Sequence, residues 1–151
     1  MCEYCGCQAI AAIDELTREH DTVVNLTGDV RAAHAAADVP RMADLARRIA
    51  AVLGPHTAVE EEGLFPALAG DFPDHVAALR GEHRVVEAVL AEAAAGTPDD
   101  PAWPARLLDT LDLLREHILK EQDGVFPAAL ANLSTQDWAV VDEVRAARKG
   151  S

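Results

Sequence analysis

The sequence predicts an all-α fold, an antiparallel up-down four-helix bundle with a short extra C-terminal helix. Three observations lead there. Ala and Leu are the two commonest residues and Glu and Arg are frequent, and these residues favour helix over strand. Apolar residues recur at spacings of three and four along nearly the whole chain. The interruptions between periodic stretches are short, and long helices with short connections pack as antiparallel neighbours. At 151 residues the chain is one domain of ordinary size with enough length to bury a core. Residues 1–9 read as a cysteine-containing tail and residues 10–149 as the bundle domain.

The first helix is expected over about residues 8–37, with Ile10, Ile13, Leu16, His20, Val23, Val24 and Val30 along its periodic face. Pro40 restricts the residue before it and suits a first helical turn, so the chain breaks at Asp38–Val39–Pro40. A second helix follows over about residues 41–68, with a kink or short break expected at Gly54–Pro55, where proline loses a backbone hydrogen bond. Gly70–Pro73 forms a turn, and the third helix covers about residues 74–95. The loop at residues 96–101 is rich in Gly and Pro. A fourth helix covers about residues 104–130, and a fifth starts after Ser134, where Ser134-x-x-Asp137 has capping spacing. Residues 147–151 are expected to fray, and Trp103 and Trp138 to cover the bundle ends.

Two stretches share one pattern: His56-x3-Glu60-x2-Gly63-x-Phe65-Pro66 and His117-x3-Glu121-x2-Gly124-x-Phe126-Pro127 repeat at an offset of 61 residues. A Glu-His pair precedes each block, Glu19-His20 and Glu82-His83. Residues four apart on a helix share a face, so each block presents an imidazole and a carboxylate in one direction. Imidazole suits transition metals, and a carboxylate oxygen can bridge two ions. Each pair alone supplies too few donors, and His20 and His83 would complete the set across the bundle interior. A single His-x3-Glu pair also reads as an exposed helical pair. Repetition with Gly, Phe and Pro at equal offsets argues for a two-metal site.

The pattern resembles the hemerythrin family, in particular bacterial, actinobacterial-type hemerythrin-like domains with two His-His-Glu cation-binding repeats. The resemblance covers about residues 10–130. It implies a bundle holding a non-haem di-iron centre, Fe2+ or Fe3+, with an oxo, hydroxo or water bridge. It also implies that His20, His56, His83 and His117 are imidazole ligands, with Glu60 and Glu121 as bridging carboxylates. Zinc or manganese would be accepted by the same donors. The oxygen carriers of the family have a fifth histidine where this chain has Glu87, and a final His-x4-Asp where it has His117-x3-Glu121 followed by Gln122. A four-His, two-Glu set leaves open positions on both metals, which suits a reactive or sensing centre better than a carrier. Glu87 reads either as a third carboxylate ligand and acid–base group or as a solvated residue.

Other polar residues have plainer readings. Glu61, Glu62 and Asp123 are expected to face solvent, as are His34 and His75. Direct contact of Glu19 and Glu82 with their neighbouring histidines is disfavoured, because adjacent helical residues point about 100° apart. Phe65 and Phe126 are expected to pack below the cluster. Cys2, Cys5 and Cys7 could bind a soft metal or exchange disulfides, or could be incidental thiols of a tail that also holds Tyr4.

A net charge of −13 disfavours nucleic acid as a partner, and no apolar run approaches the about 20 residues that span a membrane. A cytoplasmic protein, monomeric or weakly dimeric, is expected, with O2, H2O2 or NO as ligands. The leading functional expectation is redox handling of peroxide, nitric oxide or oxygen under oxidative or nitrosative stress, with peroxidase-like, catalase-like or nitric-oxide-directed activity. The alternative is a non-catalytic iron or oxygen sensor or an iron-binding module.

Overall fold

The structure, a computed structural model, describes residues 6–149. Helices α1 (Cys7–Ala35), α2 (Val39–Val59), α3 (Phe65–Leu68), α4 (Pro73–Ala91), α5 (Trp103–Lys120), α6 (Phe126–Asn132) and α7 (Thr135–Lys149) follow one another. Two π-helical turns, π1 (Glu60–Leu64) and π2 (Glu121–Val125), join α2 to α3 and α5 to α6 without a break. The bundle therefore consists of four rods, α1, α2–π1–α3, α4 and α5–π2–α6, with α7 as the short additional helix. No strand occurs among the described residues, and none of their helices is long and apolar enough to cross a membrane.

Two apolar clusters fill the interior. One holds Val23 and Val30 of α1, Leu45 and Ile49 of α2, and Leu107 and Leu111 of α5. The other holds Leu16 of α1, Phe65 of α3, Leu79 of α4 and Phe126 of α6, with Trp138 and Val141 of α7. Each rod passes from one cluster to the other, and successive rods do so in opposite directions, which is the up-down course the short loops require. His20, His56, His83 and His117 fall at the crossing point of each rod, so the polar cluster is a layer between two apolar ones.

The inward face of α1 differs from the expected one. Ile10 is 64 % exposed and Val24 39 %, while Ala9, Ala12 and Thr27 lie buried in line with Leu16, His20 and Val23. Alanine contributes little hydropathy contrast yet permits close helix approach, so hydrophobicity alone chose the wrong residues at two positions. Thr27 is admitted because its hydroxyl donates to the Val23 carbonyl at 2.9 Å.

Local chemistry sets the ends. The Asp38 carboxylate accepts from the Arg41 N–H at 3.1 Å, capping α2 ahead of Pro40. Ser134 and Asp137 exchange reciprocal bonds at 2.9 and 3.1 Å, the capping arrangement expected for the fifth helix. Trp103 begins α5 fully buried, its indole N–H donating to the Val89 carbonyl at 3.1 Å. The fraying expected of residues 147–149 is corrected, residues 150–151 lying outside the described residues: α7 stays helical to Lys149, because Arg145 and Lys149 both hold Glu15 of α1, at 2.7 and 2.9 Å. Burial raises the Glu15 carboxyl, but these two cations outweigh it and lower the group below its ordinary value.

The expected proline break is also absent. Helix α2 continues unbroken through Gly54 and Pro55. Both residues are exposed, so the missing N–H and the displaced carbonyl face water, while buried Leu53, His56 and Thr57 keep the helix seated. The irregularity comes instead just before Pro66 and Pro127. A proline ring clashes with the carbonyl four residues earlier, and a widened i→i+5 turn relieves that clash. Phe65 N–H accordingly donates to the Glu60 carbonyl, and Phe126 N–H to that of Glu121. The Glu61 carbonyl, which Pro66 cannot serve, accepts from Arg80 at 3.1 Å.

The repeat glycines occupy different surroundings. A Cβ on Gly63 would lie 3.2 Å from Val141 Cα of α7, whereas one on Gly124 would meet nothing within 4 Å. Helix α7 thus rests on π1 and leaves π2 uncovered. Gly63→Ala must push a docked backbone and is expected to cost about 1–3 kcal/mol, while Gly124→Ala changes stability by less than about 1 kcal/mol. Urea unfolding of the two variants checks this, and equal losses would refute the asymmetry.

Candidate metal centre

Because π1 and π2 hydrogen-bond five residues apart, they bring Glu60 over Phe65 and Glu121 over Phe126. The histidine four residues before each glutamate lies one α-turn away on the same face. Each repeat thereby stacks His, Glu and Phe into the interior. Phe65 lies parallel to the His83 ring at 5.7 Å, and Phe126 to the His20 ring at 5.4 Å. The phenylalanines do more than fill the core, since each supports an imidazole contributed by another rod.

The six predicted side chains meet. His20, His56, Glu60 and Glu121 form one group and Glu60, His83, His117 and Glu121 a second, each with donor atoms within 4.8 Å of one another. Both glutamates belong to both groups. His20 and His56 lie 4.6 Å apart by ring centroid, as do His83 and His117. All six residues are at most 6 % exposed.

Polar partners outside the cluster orient each imidazole. His56 Nδ1 lies 2.9 Å from Glu19, and His117 Nδ1 lies 2.9 Å from Glu82. His83 Nδ1 lies 2.6 Å from Glu61, and His20 Nδ1 lies 3.0 Å from Gln122 Oε1. All four acceptors are oxygens, so each Nδ1–H is the donor outward, and each Nε2 faces the interior carboxylates. Glu19 and Glu82 therefore do contact histidines, though on a neighbouring rod rather than beside them in sequence. Glu61 is corrected from a solvent-facing residue to a half-buried partner of His83, itself held by Arg84. Lys120 holds Glu82 at 2.8 Å. Burial raises the Glu82 carboxyl, but hydrogen bonds from Lys120 and His117 bring it below its ordinary value. Glu61 and Gln122 were legible as partners only from their equivalent places in the two blocks.

Such acceptors typically contribute about 10–100-fold to metal affinity. Glu19→Gln and Glu82→Gln are each expected to weaken metal binding by that factor, read from competition with a chromophoric chelator. Unchanged affinity in both would show that the carboxylates do not support the imidazoles.

The remaining predicted residues lie elsewhere. Glu87 is half exposed and paired with Arg84 at 3.2 Å, outside both donor groups. Glu62 pairs with Arg148, Asp123 is exposed, and so are His34 and His75. Cys7 is exposed at the start of α1 and joins no donor group among the described residues. Cys2, Cys5 and Tyr4 lie outside the described residues.

Charge in the cluster is unbalanced without cations. Both Glu60 oxygens, Glu121 Oε2 and His117 Nε2 are buried without a hydrogen-bond partner. His56 and His83 Nε2 stand 3.2 Å from the Glu60 oxygens, close but not in hydrogen-bonding alignment. Atoms of this kind are costly unless something else satisfies them, and a cation at their meeting point would. Burial and the Glu121 charge raise the Glu60 carboxyl well above its ordinary value. Burial also raises Glu121, but the His117 imidazole 3.2 Å away and His20, whose Nε2 lies 2.9 Å from Oε1, overcome it and lower the group well below its ordinary value. Burial lowers His117, yet the nearby Glu121 carboxylate and the hydrogen bond to Glu82 carry it up to about 9.

A neutral His117 and an ionised Glu60 are what a metal needs, so loading displaces their protons. Metal addition near pH 7 is expected to release protons, seen with an indicator dye in weak buffer, and affinity is expected to fall as pH falls. Loading without proton release would contradict these protonation states.

An antiparallel helical bundle with a buried mixed imidazole–carboxylate cluster defines a metal-binding class of protein. The hemerythrin HHE cation-binding domain model matches residues 11–129, and the chain belongs to that family. Comparisons with curated proteins and with solved structures found no match.

Proposed function

We propose that the protein is a non-haem di-iron redox protein that reacts with peroxide, nitric oxide or oxygen. The observation that carries this reading is the sharing of Glu60 and Glu121 between two donor groups, each otherwise limited to two imidazoles. Two imidazoles and carboxylate oxygens leave an iron ion with room for an outside ligand, and mixed N/O donors with open positions suit ferrous iron. His20 and His56 would hold one ion and His83 and His117 the other, with both glutamates between them. Such a pair supplies two electrons when both ions pass from ferrous to ferric, and peroxide reduction consumes two electrons and two protons.

The chain's own contribution is positional. Glu19, Glu82, Glu61 and Gln122 fix the four rings before any metal arrives, so little is reorganised on binding. The apolar clusters on both sides of the layer lower the local dielectric and strengthen the electrostatic interactions within it.

The test is protein expressed with iron, assayed for metal content and then mixed in its ferrous state with hydrogen peroxide or nitric oxide. About two irons per chain and fast optical change on mixing are expected. Substoichiometric metal would defeat the proposal. Reversible optical change with no peroxide or nitric oxide consumed would assign the protein to sensing instead.

A further inference from the structure

The cluster is not sealed on every side. A cavity of about 360 Å³ has the His and Glu residues as its floor. Its walls are Leu53, Val86, Leu90, Leu114 and Ile118, all buried. Its mouth lies between α2 and α4, where Ala50, Gly54, Glu87 and Ala91 are exposed. Small side chains keep that mouth wide, and a Cβ on Gly54 would meet nothing within 4 Å.

The size exceeds what the ligands named above require. One water needs about 10–15 Å³ of such volume, so a diatomic gas or hydrogen peroxide would leave most of the chamber empty. Cavities from about 300 Å³ upward, apolar with polar groups at one end, are what small organic ligands occupy. Charge narrows the class further. The net charge of −13 opposes anions, including fatty carboxylates and phosphate esters.

We propose that the chamber binds the organic group of a neutral aliphatic or aromatic hydroperoxide, with its peroxide end directed to the His/Glu floor. This assignment rests on the redox reading of the centre. Reduction breaks the O–O bond and consumes two electrons and two protons, yielding the alcohol and water. In a single turnover the two electrons would come from two ferrous ions, one each, held by the four histidines with Glu60 and Glu121. Leu53, Val86, Leu90, Leu114 and Ile118 take the hydrocarbon out of water, a gain that hydrogen peroxide cannot share.

The first arm of the test needs no redox chemistry. Cumyl alcohol, the inert product of cumene hydroperoxide, is titrated into zinc-loaded protein while methyl NMR signals of Val86, Leu90, Leu114 and Ile118 are followed. Saturable shifts with a dissociation constant of about 1 mM or tighter are expected. Gly54→Leu and Ala91→Leu, which narrow the mouth, are expected to weaken binding at least about tenfold. In the second arm, ferrous protein is mixed with cumene hydroperoxide and with hydrogen peroxide in single turnover. The ratio of the two rate constants is expected to favour the organic substrate and to fall at least about tenfold in the narrowed variants.

No saturable shift of the wild-type methyl signals at about 10 mM alcohol overturns the proposal. So does a rate ratio that narrowing leaves unchanged. Alcohol binding without reaction of either peroxide overturns the redox reading, and the hydroperoxide assignment falls with it. Reaction with hydrogen peroxide but no alcohol binding leaves the redox reading standing and removes the chamber's role.

Discussion

Glu60→Gln is expected to stabilise the metal-free protein near pH 7 and, at the same time, to remove most of its metal binding. In the metal-free state this carboxyl is fully buried, both oxygens lack hydrogen-bond partners, and ionised Glu121 adds repulsion. Its folded value is raised above the unfolded one, so the folded chain binds the extra proton. Stability therefore falls as pH rises from the ordinary carboxyl range toward the raised value. A neutral amide of similar shape removes that slope and should gain about 1–3 kcal/mol near neutrality. With metal present the sign reverses, because Glu60 is common to both donor groups and its loss weakens both at once.

Two measurements decide this. Urea unfolding in chelator across a pH series should show the variant with a flatter and higher stability curve. Metal analysis should show content falling from about two ions to less than one per chain. A variant that retains both ions would defeat the shared-carboxylate reading. A metal-free variant less stable than wild type at pH 7 would show that Glu60 has partners that compensate its burial.

Phe65→Ala carries the second large effect. Phe65 is fully buried at the junction of π1 and α3 and stacks on His83 while packing in the cluster under the polar layer. Truncating such a ring typically costs about 3–5 kcal/mol, because the transfer energy is lost and the surrounding helices close the cavity only in part. Here relaxation is further limited by Arg80, whose guanidinium sits 5.6 Å over the same ring and also serves the Glu61 carbonyl. Denaturant unfolding in chelator measures the cost without the metal contribution. A loss under about 1 kcal/mol would mean that the interior collapses freely around the site.

Much of this architecture was legible beforehand, for identifiable reasons. His56 and Glu60 share a face because they are one helical turn apart, and the same holds for His117 and Glu121. The repeat of Gly, Phe and Pro separated a structural unit from a chance pair. Capping chemistry marked the start of the fifth helix, since Ser134 and Asp137 act within three residues. Other features could not be read locally. The π turns depend on where a proline obstructs an α-turn and whether the freed carbonyl finds a donor, which for Glu61 is Arg80 from another helix. The buried role of Ala12 and Thr27 depends on how closely neighbouring helices approach, which hydropathy does not record.

By itself, then, the sequence determined the helices, the duplicated block and the identity of the six side chains that meet in the interior. These follow from short-range periodicity, in which a residue's face is set by its position along its own helix. Only the tertiary structure decided which oxygen orients which imidazole: Glu19 serves His56, Glu82 serves His117, Glu61 serves His83 and Gln122 serves His20. It also decided that α7 covers Gly63 and leaves Gly124 open, and that a chamber lies above the cluster. Those outcomes depend on the register and spacing between helices. Packing of whole apolar faces sets both, and no local stretch of sequence contains that information.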